Sequence, residues 1–205
     1  RVRDARPTAV NLAWGVDRVR PFVDQGREAV LAEAEQIVRE DTAANKRLSE
    51  LGADWILAKT GKSTLRVLTH CNTGALATTA WGTALGVIRE LHKRGALELV
   101  YADETRPLLQ GARLTAWELE REGIDYFVQA DGAAASTILR GMVDFAIIGA
   151  DRIARNGDSA NKIGSVGVAL ACHAAGIPFM VAAPSSTVDL TTATGHDIEI
   201  ELRDG

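Results

Sequence analysis

VDFAIIGAD (143–151) is the most apolar run in the chain, and it ends on a carboxylate. A run this continuous, without strict polar alternation, is expected of a strand covered by helices on both faces. Helical stretches flank it, over 133–141 before and 163–175 after. Further out the rhythm repeats. Upstream lie LRVLTH (65–70), a helix over 78–93, LELVYAD (97–103), a helix over 112–121 and IDYFVQA (124–130). Downstream lies IPFMVAAP (177–184). Strands alternating with helices in this way predict a parallel, doubly wound sheet with right-handed crossovers.

Residues 8–60 carry a different period. Ala9, Leu12, Ala13 and Val16 share one helical face, and Val30, Ala34, Ile37, Val38, Ala44, Leu48, Leu51 and Trp55 continue the apolar pattern after Pro21. Glu33, Glu35, Arg39, Lys46 and Arg47 occupy the other face, as in a solvated amphipathic helix. The expected architecture is therefore α/β: a helical N-terminal portion, 1–61, followed by a Rossmann-like parallel sheet with helices on both faces, 62–205. At 205 residues, 46% hydrophobic and 24% charged, the chain can build a packed core. Its net charge of −4 gives no electrostatic reason to expect nucleic acid or a membrane as partner. Two cysteines exclude a disulfide framework or a Cys-based zinc cluster, and a cytoplasmic setting is expected. The chain starts at Arg1 without methionine and stops just after the strand-like IEIEL (198–202), so segments are expected to be missing at both ends.

In a doubly wound sheet ligands bind beyond the carboxyl ends of the strands. Cys71 leaves the first strand ahead of Asn72-Thr73-Gly74, which can open a helix whose dipole would favour thiolate. The alternative is a small buried hydrophobe, which is the expectation for Cys172 in mid-helix. His70 could activate Cys71, but adjacent residues leave a strand on opposite sides. Asp151, desolvated at the rim of its apolar strand, suits a general acid; otherwise it caps a helix or pairs with Arg152. Asn161 and Lys162 stand where the next helix begins, a place fit for clamping a phosphate or polyol. The loop Asp103-Glu104-Thr105-Arg106-Pro107, with Gln110 and Gly111 behind it, faces the same rim. No G-x-G-x-x-G, Walker, G-x-S-x-G or H-E-x-x-H pattern occurs.

Several blocks resemble methylthioribose-1-phosphate isomerases: RPTAVNL (6–12), LTHCNTGALAT (68–78), GTALGVIR (82–89), ADETRPLLQGARLTAWEL (102–119), GADRIARNGD (149–158), ANKIG (160–164) and AAPSSTVDL (182–190). That family shares a superfamily with ribose-1,5-bisphosphate isomerases and the regulatory subunits of translation initiation factor 2B. The resemblance implies catalytic roles for Cys71 and Asp151, and substrate contacts for Arg6, Gln110, Asn161 and Lys162. It also implies a homodimer without metal or organic cofactor, acting on a sugar phosphate in methionine salvage. The family's Arg-Arg-Gly-Ala phosphate segment is not among residues 1–5, and the family continues beyond Gly205. Two other functions stay open on the residues alone. One is isomerisation of ribose 1,5-bisphosphate or 5-deoxyribose 1-phosphate; the other is a non-catalytic regulatory subunit.

Overall fold

A computed structural model describes residues 2–202. Six α-helices and eight strands follow one another among them. The chain opens with α1 (Val10–Val19) and α2 (Arg27–Thr60), then alternates β1 (Leu65–Thr69), α3 (Ala84–Lys93), β2 (Leu97–Asp103), α4 (Ala116–Arg121), β3 (Tyr126–Gln129), α5 (Ala134–Leu139) and β4 (Phe145–Ile148). It ends with β5 (Arg152–Ala154), β6 (Ser159–Ala160), α6 (Ser165–Ala175), β7 (Phe179–Val181) and β8 (Val188–Asp189). The helical beginning followed by an α/β sheet is the architecture read from the sequence. Two compact units divide the chain out of sequence order.

One unit comprises Asn45–Gly149 and Lys162–Ala183. Its sheet is five-stranded and parallel, in the order β3-β2-β1-β4-β7. Neighbouring residues on a strand point to opposite faces, and both faces are covered. Val67, Phe145 and Ile147 pack against α3 (Leu85, Ile88, Leu91) and the second half of α2 (Ala53, Ile56). Leu68 and Ala146, one residue out of phase, pack against α5 (Ala134, Ile138) and α6 (Val168, Ala171, Cys172). This two-sided burial is why β1 and β4 read as unbroken apolar runs. Trimming fully buried Ile147 to valine removes one methylene from the middle of β4. A loss of about 1 kcal/mol in urea unfolding is expected.

The other unit holds the described residues up to Ala44, Ala150–Asn161 and those from Pro184 onward. Here α1 passes through a 3-10 turn, Arg20–Gln25, that begins with Pro21 in its first turn, and α2 starts after Gly26. The short strands pair in the order β6-β5-β8. Arg152 joins three segments: its guanidinium donates to the Pro7 and Thr8 carbonyls and pairs with Asp189 at 3.0 Å.

Three expectations need correction. The helix over 78–93 begins only at Ala84. The Thr78 hydroxyl donates to the Gly74 carbonyl and accepts the Gly82 N–H, a local turn that competes with helix. The helix over 112–121 opens as a π-helical turn, Gly111–Thr115, before α4. IEIEL is not a strand, although it alternates like one. Its backbone is satisfied by a side chain: the Thr8 hydroxyl donates to the Glu199 carbonyl and accepts the Glu201 N–H.

Candidate active site

The sheet order fixes where to look. From β1 the chain steps outward to β2 and β3, then returns to place β4 on the other side of β1. The gap between the exits of β1 and β4 is thus the topological switch point, where open α/β sheets bind ligands. Cys71 lies two residues beyond β1, and Asp151 follows β4 by three residues along the chain.

Cys71 has a left-handed backbone, φ 67°, uncommon for a residue with a side chain. Two threonine hydroxyls hold it there. Its N–H donates to Thr105 Oγ1 at 2.8 Å, and its carbonyl accepts from Thr115 Oγ1 at 2.6 Å. The thiol is half-buried. Thr105 is itself left-handed, φ 64°, and fully buried. Its hydroxyl donates to the Asp103 carbonyl, while the N–H groups of Thr105 and Arg106 both donate to Asp131, each at 2.7 Å. Backbone in such sparsely populated regions persists only when its surroundings over-determine it, and it clusters at functional sites. The helix expected to open at Asn72-Thr73-Gly74 is absent; only a three-residue 3-10 turn, Ala75–Ala77, follows. The helix-dipole argument for a Cys71 thiolate therefore falls. Cys172 is buried on α6 and its thiol is pushed up to about 11 by desolvation, as suits an inert packing residue.

A buried carboxylate organises the loop beyond Cys71. Glu118 on α4 accepts the N–H groups of Ala75 and Leu76, the side-chain amide of Asn72 and the guanidinium of Arg89. Burial opposes the Arg89 charge, but Glu122 and Glu118 together outweigh it and raise its pKa. Asn72 Oδ1 and Gln110 Oε1 are buried without a hydrogen-bond partner in the protein. Gln110 immediately precedes Gly111, where a Cβ would fall 1.7 Å from the Asp103 carbonyl oxygen. Only glycine lets the 103–115 loop fold this closely onto the end of β2.

His70, just beyond the end of β1, turns inward. It is 1% exposed, and its Nδ1 lies 2.8 Å from Asp103 Oδ2. Its Nε2 lies 2.7 Å from the Ile163 carbonyl, which can only accept, so Nε2 carries a proton. Burial alone would lower the His70 pKa, but the hydrogen bonds to Asp103 and Ile163 outweigh it and the net shift is upward. Burial raises Asp103, against the opposing bonds from His70 and Gln129. One proton is thereby trapped between ring and carboxyl. His70, Asp103 and Asp131 offer ligand atoms within 4.8 Å of one another, but each is already committed to a hydrogen bond.

Of the six residues singled out by resemblance, Cys71, Gln110 and Lys162 belong to the unit with the five-stranded sheet. Lys162 lies three residues before α6, and its carbonyl accepts both the N–H and the hydroxyl of Ser165. Arg6, Asp151 and Asn161 belong to the other unit. There Arg6 pairs with Glu201 at 2.8 Å. The Asp151 N–H donates to Ala160, and its carbonyl accepts from Val10. Arg152 pairs with the Asp189 carboxylate. Sequence reasoning gave no role to Thr105, Thr115, Glu118 or Asp131. All stand far from Cys71 along the chain, 34 positions in the nearest case, and carry no local signal.

The profile of the initiation factor 2 subunit family matches residues 1–205. A methylthioribose-1-phosphate isomerase of Alkalilimnicola ehrlichii is 55% identical over 207 residues, covering 99% of this chain and 58% of the relative. The crystal structure of 5-methylthioribose 1-phosphate isomerase from Pyrococcus horikoshii OT3 superposes with a TM-score of 0.87 at 43% identity, over 98% of this chain and 57% of that one. The crystal structure of translation initiation factor eIF-2B, subunit delta, from A. fulgidus gives 0.82 at 43% identity, over 97% and 58%. The chain spans 37–59% of the length of the curated relatives it matches.

Proposed function

The chain belongs to the initiation factor 2 subunit family, and on that premise we propose that its protein converts 5-methylthioribose 1-phosphate into 5-methylthioribulose 1-phosphate. The observation that carries this reading is Cys71, held on a left-handed backbone beside the switch point by two threonine hydroxyls. The isomerase names of the relatives at 52–55% identity support it. The boundary expected from the sequence, 1–61 helical and 62–205 catalytic, follows chain order, whereas the two compact units interleave along it. The working protein is a homodimer without metal or organic cofactor, acting in methionine salvage.

The substrate's anomeric oxygen carries phosphate, so the sugar cannot open spontaneously to a free aldehyde. Asp151 protonates the ring oxygen as the C1–O bond breaks. Hydrogen then moves from C2 to C1, by one of two routes. Cys71 as thiolate takes the C2 proton through a phosphorylated enediol and returns it at C1, or hydride shifts directly while Cys71 orients the substrate; in either route the 2-hydroxyl gives up its proton as the C2 carbonyl forms, which restores the Asp151 carboxyl. Arg6, Gln110, Asn161 and Lys162 hold phosphate and hydroxyls, largely by charge-assisted hydrogen bonds. Gln110 has a buried acceptor to offer a hydroxyl.

Turnover of the phosphorylated methylthioribose by the full-length protein tests the reading; no conversion would overturn it. Asp151→Asn is expected to lower kcat by about 100-fold, the usual contribution of a general acid. A near-normal rate would remove Asp151 from the scheme. Deuterium from solvent appearing at C1 of the product would select the enediol route. The likeness to the A. fulgidus initiation-factor subunit favours a second reading, a regulatory subunit. That reading expects capture of partner subunits and no turnover.

A further inference from the structure

We propose that His70 is a positioning residue, whose imidazole ties the exit of β1 to the Ile163 carbonyl and thereby sets Lys162 relative to Cys71. The inference rests on the role given to Lys162 above, and it deepens that reading. The segment 162–164 has no regular secondary structure, and the Ile163 side chain is 72% exposed, so apolar packing does not fix it. Within the segment the Lys162 carbonyl accepts the N–H and hydroxyl of Ser165 at the start of α6. The bond from His70 Nε2 to the Ile163 carbonyl, at 2.7 Å, ties the segment to the end of β1.

The neighbouring residue is shaped for that bond. Gly164 has φ +105°, and a Cβ there would lie 2.5 Å from His70 Cε1, so a side chain would displace either the ring or the loop. On its other side the ring is braced by a chain of hydrogen bonds that crosses the sheet. Asp103 at the end of β2 takes Nδ1 and accepts from Gln129 of β3, and Gln129 in turn accepts the Thr137 hydroxyl of α5. An imidazole bonded at both nitrogens has one allowed orientation. His70 therefore transmits the position of three strand ends to the residue next to Lys162, while its own backbone leads into Cys71.

Two isosteric substitutions divide the ring's two bonds. In His70→Asn the amide replaces Nδ1 and keeps Asp103 but loses Ile163; in His70→Gln it replaces Nε2 and keeps Ile163 but loses Asp103. His70→Asn is expected to raise KM for the aldose 1-phosphate about tenfold, with kcat changed less than about threefold, the signature of lost uniform binding. His70→Gln should stay within about threefold of the parent KM. In a Lys162→Ala background the His70→Asn effect on KM should vanish, because the two residues act as one unit. Equal KM values for the Asn and Gln variants, or an effect that persists without Lys162, would overturn the proposal.

Amide exchange at Ser165 and Val168 gives a reading that needs no catalysis. Exchange should quicken about tenfold in His70→Asn and stay parental in His70→Gln. If the parent protein turns over no aldose 1-phosphate, the proposed function fails, but this comparison still decides the tether. Should His70→Asn not fold, Gly164→Ala displaces the same contact from the loop side; an unchanged KM and unchanged exchange in that variant would count against it.

Discussion

Replacing Cys71 with alanine is expected to lower turnover of the aldose 1-phosphate by about 1000-fold, yet to leave the unfolding midpoint near that of the parent protein. The two effects separate because of the backbone. A left-handed conformation costs roughly 1–2 kcal/mol for any residue with a Cβ, so alanine at φ 67° bears the same cost as cysteine. The N–H and carbonyl that Thr105 and Thr115 hold are also unchanged by the substitution. Only the sulfur leaves. If the thiolate carries the proton between C2 and C1, the full general-base contribution goes with it. If hydride shifts directly and the thiol only orients the substrate, the loss is that of one hydrogen bond, about tenfold. Initial rates set beside a melting curve therefore report which route operates. A rate within about twofold of the parent would remove Cys71 from both.

The inner strands β1 and β4 were legible because two-sided burial leaves a trace in nearly every residue, whereas β3 at the edge is largely exposed. Phe145 and Ile147 face one cluster and Ala146 the other, so no polar position interrupts the run. The β5–β6 hairpin left no such trace. Its strands are three and two residues long, and RIARNGDSA has no apolar face to bury. IEIEL misled in the opposite sense: its alternation suits a strand edge, but Thr8, 191 positions before Glu199, takes the hydrogen bonds a neighbouring strand would take. At the site, position was readable and partnership was not. That Cys71 follows the exit of β1 could be read from the apolar run alone. That Thr105 and Thr115 clamp the Cys71 backbone depends on a loop whose close fold needs Gly111, and on a π-helical turn that rotates Thr115 inward. Neither leaves a periodic pattern in the sequence.

The largest change in stability from one side chain outside the apolar core is expected at Glu118. It is 3% exposed, and its two oxygens receive donors from two parts of the unit: the 72–76 loop, through Asn72 and two backbone N–H groups, and α3, through Arg89. Glu118→Ala would take the acceptor from the Ala75 and Leu76 N–H groups and leave the Asn72 amide with Thr115 Oγ1 alone. It would also take from Arg89 one of its two carboxylates, the remaining one being Glu122. Breaking a buried pair by removing one partner costs about 3–5 kcal/mol, because the abandoned charge stays desolvated. Glu122 compensates in part, which places the expected loss in urea unfolding near the lower end, about 3 kcal/mol. Glu118→Gln separates charge from hydrogen bonding. One oxygen remains to accept, but the new amide would point its own donors at the Ala75 or Leu76 N–H or at Arg89. The isostere should therefore recover less than half of the lost stability. A loss under about 1 kcal/mol for the alanine variant would mean that water reaches the cluster and replaces the carboxylate. A full recovery by glutamine would mean that shape, not charge, holds the loop. If the expected order holds, the turn after Cys71 is fixed by a buried anion on α4, and that turn owes its geometry to an ion pair 29 residues apart in the chain.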